Sequence, residues 1–251
     1  MEPCIQTLGL TKIYEGRAAV AGLALSVPRG SFYGFLGPNG AGKSTTIKML
    51  TGLIAPSSGD ARILGLDLRR GALQIKRRIG VVPEDLCLFE NLSAREYLNF
   101  IGRMYRLPRE VTERRAEELL ELLGLADTGK RLTLEFSTGM KKKLSLAAAL
   151  IHDPELLFLD EPFEGVDAIA SRTIRAVLDR MVQRGSTIFL TSHILEIVEK
   201  LCTHVGIIAN GRLVRQGTLE DVAAGGSMED AFIGAIGGPA EAEVGLSWLG
   251  G

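Results

Sequence analysis

The chain has 251 residues, of which 46% are hydrophobic and 24% charged, and its formal net charge is −1. This balance is typical of a globular α/β domain, and the near-zero charge excludes a global attraction to nucleic acid or anionic membranes. Cys4, Cys87 and Cys202 are widely spaced and form no CxxC motif, which favours reduced thiols in a cytosolic protein. Because the sequence has no signal-like leader and no apolar run of about 18 residues, we expect any membrane role to come through a partner.

The first third of the chain predicts strands arranged around a glycine-rich turn. Residues 4–14 are rich in β-branched and apolar side chains, and residues 23–27 alternate apolar with small or polar residues. The stretch SFYGFLG (31–37) predicts a buried strand, and KSTTIKMLTGL after it predicts a helix that ends near Gly52. GDARILG and RIGVVPE predict two further short strands. This order favours an α/β sheet.

The middle of the chain, about residues 84–153, predicts helices. Ser93 and Glu96 fit a capping box, and residues 108–124 begin with proline and end with glycine, as helices commonly do. The helix after Gly139 carries apolar residues at i, i+4, i+7, i+8 and i+11, counted from Met140. We therefore predict a helical subdomain inserted into the α/β core.

The last third predicts a return to strands and then a tail. ELLFLDEP and STIFLTSH predict two buried strands, and Asn210-Gly211 predicts the turn of a hairpin over residues 204–217. The Gly-, Ala- and Glu-rich end predicts a loosely ordered tail. We place the domain at residues 1–234 and the tail at residues 235–251.

The stretch GPNGAGKST satisfies the phosphate-loop pattern G-x-x-x-x-G-K-[ST] between a predicted strand and a predicted helix. Its glycines allow backbone N–H groups to turn toward phosphate oxygens, and the helix that follows presents its positive end to the same anion. Lys43 would add a full charge, and Ser44 would offer a hydroxyl to Mg²⁺. The alternative is a plain glycine-rich turn. The predicted phosphate-binding residues are Gly37, Pro38, Asn39, Gly40, Ala41, Gly42, Lys43, Ser44 and Thr45.

Two acids follow the apolar strand of LLFLDEP. They stand at the carboxyl end of that strand, where α/β sheets bind ligands. Asp160 can hold Mg²⁺, and Glu161 can activate a water for attack on a γ-phosphate. The alternative is an acidic turn without function.

Motif order makes the chain resemble the ATP-binding subunits of ABC transporters over roughly residues 5–232. VVPED stands at the Q-loop position, FSTGM at the signature LSGGQ, LLFLDEP at Walker B, EGVD at the D-loop and TSH at the switch histidine. Gly-Met followed by basic residues, together with SMEDAFI near the C-terminus, resembles the drug- and polyketide-exporter branch.

The resemblance implies a P-loop NTPase (RecA-like) core with an N-terminal antiparallel β subdomain and an inserted α-helical subdomain. It implies that Tyr14 stacks on adenine and that His193 contacts the γ-phosphate and orients water. It also implies that two subunits, as a homodimer or heterodimer, enclose two Mg-ATP molecules. Ser137 and Gly139 of one subunit would contact the nucleotide held by the other, with Asp167 at the interface. His152 and His204 have no such context and are predicted to be structural.

The resemblance further implies a separately encoded integral membrane permease, an export direction and a location in the cytoplasm at the inner face of the cell membrane. We predict no nucleic-acid partner, because no aromatic residue interleaves with Lys141, Lys142 and Lys143. At about 100° per residue these lysines fan around their helix, so one is expected to face phosphate or a partner and the others solvent.

Two departures from the family pattern bear on function. Glu84 replaces the usual Q-loop glutamine, and a carboxylate there can still ligate Mg²⁺. Thr138 and Met140 replace the signature Gly and Gln, while Ser137 and Gly139 are kept.

Three alternative functions remain open from the sequence. A soluble ABC ATPase acting on ribosomes or DNA usually carries two cassettes or a coiled-coil insertion, which this chain lacks. A regulatory ATP-binding module without turnover would not need Glu161 and His193. A small-molecule P-loop kinase would need an arginine lid and an acceptor site.

Overall fold

The computed structural model describes residues 2–237, which form two sheets and a helical segment over residues 94–150. The strands are β1 (Ile5–Tyr14), β2 (Arg17–Leu23), β3 (Ser26–Val27), β4 (Phe32–Leu36), β5 (Ser58–Ile63), β6 (Leu66–Asp67), β7 (Ile79–Val82), β8 (Leu156–Asp160), β9 (Thr187–Ser192), β10 (His204–Ala209) and β11 (Arg212–Thr218). The helices are α1 (Lys43–Leu50), α2 (Ala72–Arg78), α3 (Ala94–Met104), α4 (Arg109–Leu122), α5 (Thr138–Leu150), α6 (Ala168–Gln183), α7 (Leu195–Leu201), α8 (Leu219–Ala223) and α9 (Met228–Ile236).

The larger sheet has the strand order β11-β10-β4-β9-β8-β7, and all of its pairs are parallel except β10 with β11. Every residue of β4, β8 and β9 is buried, because helices or the second sheet cover both faces. The carboxyl ends of β4, β8 and β9 therefore lie side by side at one edge, which is where their loops can form a site.

The smaller sheet is antiparallel, with the order β2-β1-β5-β6, and β3 also pairs with β1. The expectation of one continuous strand over residues 23–27 is wrong, since β2 ends at Leu23 and pairing resumes at Ser26. The buried hydroxyl of Thr7 explains the break. It donates to the Leu23 carbonyl and accepts from the Leu25 N–H, both at 2.8 Å, so a side chain takes part in the pairing beside the backbone bond from the Thr7 N–H to the Leu25 carbonyl.

Helices α3, α4 and α5 follow one another between β7 and β8. Helix α5 packs on β7 of the larger sheet, and α3 and α4 pack on α5 and on each other. Ser93 caps α3, and the reciprocal bond from the Ser93 N–H to Glu96 completes the predicted capping box. Gly102 is tightly packed, because an added Cβ would meet the Thr112 side chain of α4. Close packing of this kind fixes α3 against α4.

The hairpin of β10 and β11 turns at Asn210 and Gly211, whose φ angles are 50° and 75°, as predicted. Helix α9 continues through Ile236, past the boundary predicted at residue 234, and most of the predicted tail, residues 238–251, lies outside the described part of the chain. The division into domain and tail stays a prediction. Within residues 2–237, no helix has the length and apolar character needed to cross a membrane.

The contact between α5 and β7 yields a stability prediction at Gly80. An added Cβ there would lie 2.4 Å from the backbone oxygen of Ala149 and 2.8 Å from Cδ1 of Leu157. Because backbone cannot move aside cheaply, we expect Gly80→Ala to lower the free energy of unfolding by about 1–3 kcal/mol in urea titrations.

Gly234 is the matched control for this prediction. It lies on the exposed side of α9, and an added Cβ would meet no atom within 4 Å. Gly234→Ala should therefore stabilise the protein by up to about 1 kcal/mol. Equal stabilities of Gly80→Ala and the wild type would contradict the tight packing of α5 on β7.

Candidate active site

The predicted phosphate loop connects β4 to α1 and needs glycine at defined positions. A Cβ on Gly37 would lie 2.5 Å from the Ile208 backbone oxygen, and one on Gly42 would lie 2.6 Å from that of Ala19. Gly40 and Gly42 also have φ angles of 79° and 108°. Gly42 is the N-cap of α1 and provides no side-chain cap, so the first N–H groups of the helix are left for an anion.

Lys43 begins α1 and is almost fully buried. Its Nζ donates to the carbonyls of Gly37 (2.8 Å) and Pro38 (3.3 Å), and it lies 3.3 Å from Oε1 of Glu161. The loop's only full positive charge therefore stands between the loop's own carbonyls and the acid at the end of β8. A bound phosphate would compete with these carbonyls for the ammonium.

Glu161 directly follows β8 and has a φ angle of 47°, which is uncommon for a residue with a side chain. Its N–H donates to the Thr191 hydroxyl (3.2 Å), and its buried Oε1 lies 3.1 Å from Nδ1 of His193. That contact lacks hydrogen-bond geometry, so neither atom has a hydrogen-bond partner within residues 2–237. Two orphaned polar atoms facing each other are suited to receive a ligand or a water.

Three groups whose oxygen atoms could ligate a metal lie together beside Glu161; they are the Ser44 hydroxyl and the carboxylates of Glu84 and Asp160. The Ser44 hydroxyl lies 3.2 Å from Oε2 of Glu84 and 3.3 Å from Oδ1 of Asp160, and Thr191 also donates to Oδ1 of Asp160 (2.5 Å). Burial raises the pKa of Asp160; hydrogen bonds from Thr191 and Ser44 oppose this effect, while the charges of Glu84 and Glu161 add to it.

This donor set fits Mg²⁺, which prefers oxygen ligands and is commonly held by one or two carboxylates. One hydroxyl proton cannot satisfy both Glu84 and Asp160 at once, whereas a divalent cation would neutralise both. The set depends on the hydroxyl, because in the described part of the chain no three His, Cys, Asp or Glu side chains form a metal site by themselves.

The cleft over the phosphate loop has a volume of about 220 Å³. Pockets that enclose a drug-sized ligand usually measure about 300–1,000 Å³. The cleft is therefore large enough for part of a nucleotide and leaves the rest uncovered. Its lining residues are Ala19, Asn39, Gly40, Gly42, Lys43, Ser44, Thr45, Glu84 and Glu161. A larger groove of about 620 Å³ between α4 and α6 contains no predicted site residue and is separate from this cleft.

The remaining predicted residues lie outside the cleft. Tyr14, at the end of β1, has 46% of its surface exposed, with Nζ of Lys12 5.1 Å from its ring centroid. Ser137 is the N-cap of α5, and its hydroxyl accepts from the Met140 N–H. Asp167 caps α6, and the Ala170 N–H is the main cause of its lowered pKa.

Gly139 and Asp167 are neighbours, since a Cβ on Gly139 would lie 4.0 Å from Oδ2 of Asp167. The structure thus forms two groups. One surrounds the phosphate loop, and the other, with Ser137, Gly139 and Asp167, lies at the N-termini of α5 and α6.

The expectation for the three lysines of α5 is corrected in one respect. Lys141 forms an ion pair with Glu90 at 3.1 Å, but Lys142 is buried and donates to the backbone carbonyls of Glu161 and Glu164. Lys142, the middle one of the three lysines, therefore points toward the turn that follows β8. Helical spacing separates the three directions, but the sequence does not reveal which neighbour each one meets.

Thr191 is a site residue that the sequence interpretation missed, although it stands two residues before His193 in LTSH. Its hydroxyl contacts both Glu161 and Asp160 across the sheet. The alignment of β8 with β9, which pairs Asp160 with Thr191, creates this contact. A prediction of that register would have been needed to find it.

Comparisons with known proteins agree with this geometry. The family model of the ABC transporter matches residues 20–164, which is more than half of the chain. This chain belongs to the ABC transporter family. As a member of that family it binds ATP with Mg²⁺ and hydrolyses ATP, so the α/β P-loop fold and the ATPase activity predicted from the sequence are confirmed.

Relatives and solved structures of the ABC family match most of the chain. It is 39% identical over 218 residues to the linearmycin resistance ATP-binding protein LnrL of Bacillus subtilis, covering 87% of this chain and 70% of LnrL. A solved ATP-binding subunit of an ABC transporter matches with a TM-score of 0.87 and 31% identity, covering 92% of this chain and 99% of that chain. A dimeric post-hydrolysis structure of the ATP-binding cassette MJ0796, bound to ADP and Pi, shares the fold with a TM-score of 0.79 and 23% identity, covering 86% and 98% respectively.

The raised pKa of Asp160 yields a prediction on stability and pH. A carboxyl whose pKa is raised in the folded state opposes folding when ionised, so this penalty is fully present above the folded-state pKa and disappears below the unfolded-state pKa. In Mg²⁺-free buffer at pH 7, Asp160→Asn should therefore have a higher thermal midpoint than the wild type.

The difference in thermal midpoint between Asp160→Asn and the wild type should shrink as the pH falls through the acidic range. Mg²⁺ should raise the midpoint of the wild type and have little effect on Asp160→Asn. A wild type that is more stable than Asp160→Asn in Mg²⁺-free buffer at pH 7 would show that burial is not the dominant influence on this carboxyl.

Proposed function

We propose that this ABC ATPase dimerises around two Mg-ATP molecules and powers a separately encoded membrane permease in the export direction. The observation that carries the proposal is the position of Glu161. Its buried carboxylate lies between Lys43 and His193, at the edge of the phosphate-loop cleft. A general base for water needs this location, within reach of the terminal phosphate of a nucleotide held by the loop.

The loop and α1 would hold the phosphates. The free N–H groups at Gly42 and the start of α1 supply partial positive charge, and Lys43 supplies a full one. Ser44, Asp160 and Glu84 are the proposed ligands of Mg²⁺, which would neutralise phosphate charge when bound. Within the chain, Thr191 orients Asp160 by donating to its Oδ1.

Glu161 would accept the proton of the attacking water, and His193 would hold the same water or the γ-phosphate. Both orphaned atoms, Oε1 of Glu161 and Nδ1 of His193, face this point. The left-handed backbone of Glu161 supports the assignment, because strained conformations concentrate at functional sites. A regulatory module without turnover would not require a buried acid in this position.

The dimer accounts for the second group of residues. Ser137, Gly139 and Asp167 lie at helix N-termini outside the cleft, which supports a contact of these residues with a nucleotide held by another subunit. The cleft also leaves part of a nucleotide uncovered. We propose that the ring of Tyr14, which is exposed in the single subunit, stacks on the adenine. Since the dimeric MJ0796 cassette shares this fold, a second copy of this chain or a related subunit can complete each site.

An exposed aromatic patch supports docking of a permease to the helical subdomain. Phe89, Phe100 and Met104 have 53%, 39% and 66% of their surfaces exposed, and the two phenyl rings meet edge to face at 5.1 Å. Phe89 lies in the same loop as Glu84, between β7 and α3. A permease that contacts this patch could therefore move Glu84 relative to Ser44. Exposed apolar clusters of this kind mark protein interfaces.

The export direction and the location are the further parts of this proposal. LnrL, which matches most of the chain, is named for resistance to linearmycin, and resistance is consistent with removal of a compound from the cell. A permease partner would hold the subunit at the cytoplasmic face of the membrane. The genomic observation that tests the partner is whether an adjacent reading frame encodes about six helices of spanning length.

Glu161→Gln tests the proposed base. The substitution preserves shape and hydrogen bonding but cannot accept the proton, so ATP binding should survive while phosphate release falls by roughly 100-fold or more. Because ATP that is bound but not hydrolysed would hold two subunits together, size-exclusion chromatography with Mg-ATP should show that a dimer of the variant accumulates.

Glu164→Gln is the matched control, since this exposed acid lies three residues further along the same turn. It should hydrolyse ATP at the wild-type rate and form no lasting dimer. A Glu161→Gln protein that remains monomeric and hydrolyses ATP normally would refute both the base and the dimer.

A further inference from the structure

Lys142 on α5 has no role in the site as described so far, yet it is one of the few buried charged residues among residues 2–237. Only 8% of its surface is exposed. Its Nζ donates to the Glu161 backbone carbonyl at 3.1 Å and also to that of Glu164. The ammonium group therefore bonds to the main chain on both sides of the turn that carries the proposed base.

Burial opposes the charged form and lowers the pKa of Lys142, whereas the nearby carboxylates of Glu164, Glu161 and Glu84 raise it. No salt bridge pairs this ammonium with a carboxylate among residues 2–237. Such a desolvated lysine is unfavourable unless its donors find partners, and here two backbone carbonyls each accept a hydrogen bond from the ammonium group. The ammonium group of Lys142 thus holds the backbone between Glu161 and Glu164 in place.

The turn that Lys142 contacts has an unusual conformation. Glu161 has a positive φ angle, and the Glu164 N–H donates back to the Glu161 carbonyl at 3.3 Å. That carbonyl therefore accepts two hydrogen bonds, one from the turn and one from Lys142. A backbone held in this way determines where the Glu161 side chain starts, and its Oε1 reaches Lys43 and His193 from there.

We infer that Lys142 is a positioning residue for Glu161: it holds the turn that places the carboxylate in the cleft. The inference rests on the proposed function, because it needs Glu161 to be the base. It adds a mechanical link, since Lys142 lies on the same helix as Ser137, the residue proposed to face the partner's nucleotide. A movement of α5 when Ser137 contacts the nucleotide held by the partner would be transmitted through Lys142 to Glu161 of the same subunit, which serves the other nucleotide site.

A direct contact of Lys142 with phosphate does not fit the structure. Its Nζ is enclosed by main-chain oxygens, and Lys142 does not line the cleft over the phosphate loop. Lys141, the neighbouring lysine, turns away toward Glu90 of the helical subdomain. Lys141 therefore provides a matched control with the same chemistry on the same turn of helix.

The test compares Lys142→Met, Lys142→Arg and Lys141→Met in steady-state ATP hydrolysis and in equilibrium binding of a non-hydrolysable ATP analogue. Because Glu161 would no longer be held in position, kcat of Lys142→Met should fall roughly 10- to 100-fold, while the affinity for the analogue should stay within about twofold of the wild type. Lys142→Arg keeps a charged donor and should recover part of kcat. Lys141→Met should match the wild type.

A double variant separates positioning from general damage. If Lys142 acts through Glu161, then adding Lys142→Met to Glu161→Gln should cause no further loss in single-turnover hydrolysis, because the group being positioned is already inactive. An additional loss equal to that of Lys142→Met alone would overturn the inference. So would an unchanged kcat in Lys142→Met, or a parallel fall of kcat and analogue affinity.

Failure of the proposed function would look different. If Glu161→Gln hydrolyses ATP at the wild-type rate, the base is wrongly assigned, whereas a stalled Glu161→Gln with an unaffected Lys142→Met refutes only the role of Lys142. Should Lys142→Met not fold, Lys142→Gln retains a donor and replaces it in the same assays. Loss of folding in both variants would make Lys142 a structural residue and overturn its role in positioning.

Discussion

The contact between Lys43 and Glu161 is the interaction on which the site depends. Both groups are almost fully buried, and their charged atoms lie 3.3 Å apart, so each offsets the charge of the other in a poorly hydrated place. Lys43 comes from the loop after β4 and Glu161 from the end of β8, with β9 between the two strands. The ion pair thus joins the two loops that would act on opposite sides of a γ-phosphate. Removal of either charge leaves the other to be compensated by its remaining partners, which for Lys43 are the carbonyls of Gly37 and Pro38.

The rest of the molecule can be understood as support for that pair and as a means of controlling it. The parallel sheet positions the loops, and the Thr191 hydroxyl of β9 donates to Asp160 and accepts from the Glu161 N–H. Lys142 of α5 donates to the carbonyls of the turn that carries Glu161. Ser137, outside the cleft, is the N-cap of the same helix α5, and Asp167 is the N-cap of the neighbouring helix α6. Under the proposed function, a subunit built in this way has its chemistry on one surface and, on a second, the residues that complete the chemistry of another subunit. ATP-driven dimerisation follows from that division, and coupling between two sites requires only that α5 and the turn move together.

Local sequence patterns predicted those features that depend on neighbouring residues. The phosphate loop, the capping box of Ser93 and the Asn210-Gly211 turn each depend on residues a few positions apart, and motif order identified the family. Contacts between distant segments were not predictable in the same way. The Thr7 hydroxyl interrupts a strand 16 residues away, Ser44 meets Glu84 across 40 residues, and Lys142 meets Glu161 across 19. Each depends on strand register or helix placement, which apolar periodicity specifies only to within a face.

In the proposed mechanism, Lys43 and the loop around it bind the phosphates, and a water that gives its proton to Glu161 attacks the terminal phosphate. Phosphate release from Mg-ATP by purified Lys43→Ala tests it most directly, with Lys48→Ala on the exposed side of α1 as the control. We expect Lys48→Ala to release phosphate like the wild type, and Lys43→Ala to release none above background and to bind ATP more weakly, because the only full positive charge of the loop is gone. Equal turnover in Lys43→Ala and the wild type would contradict it.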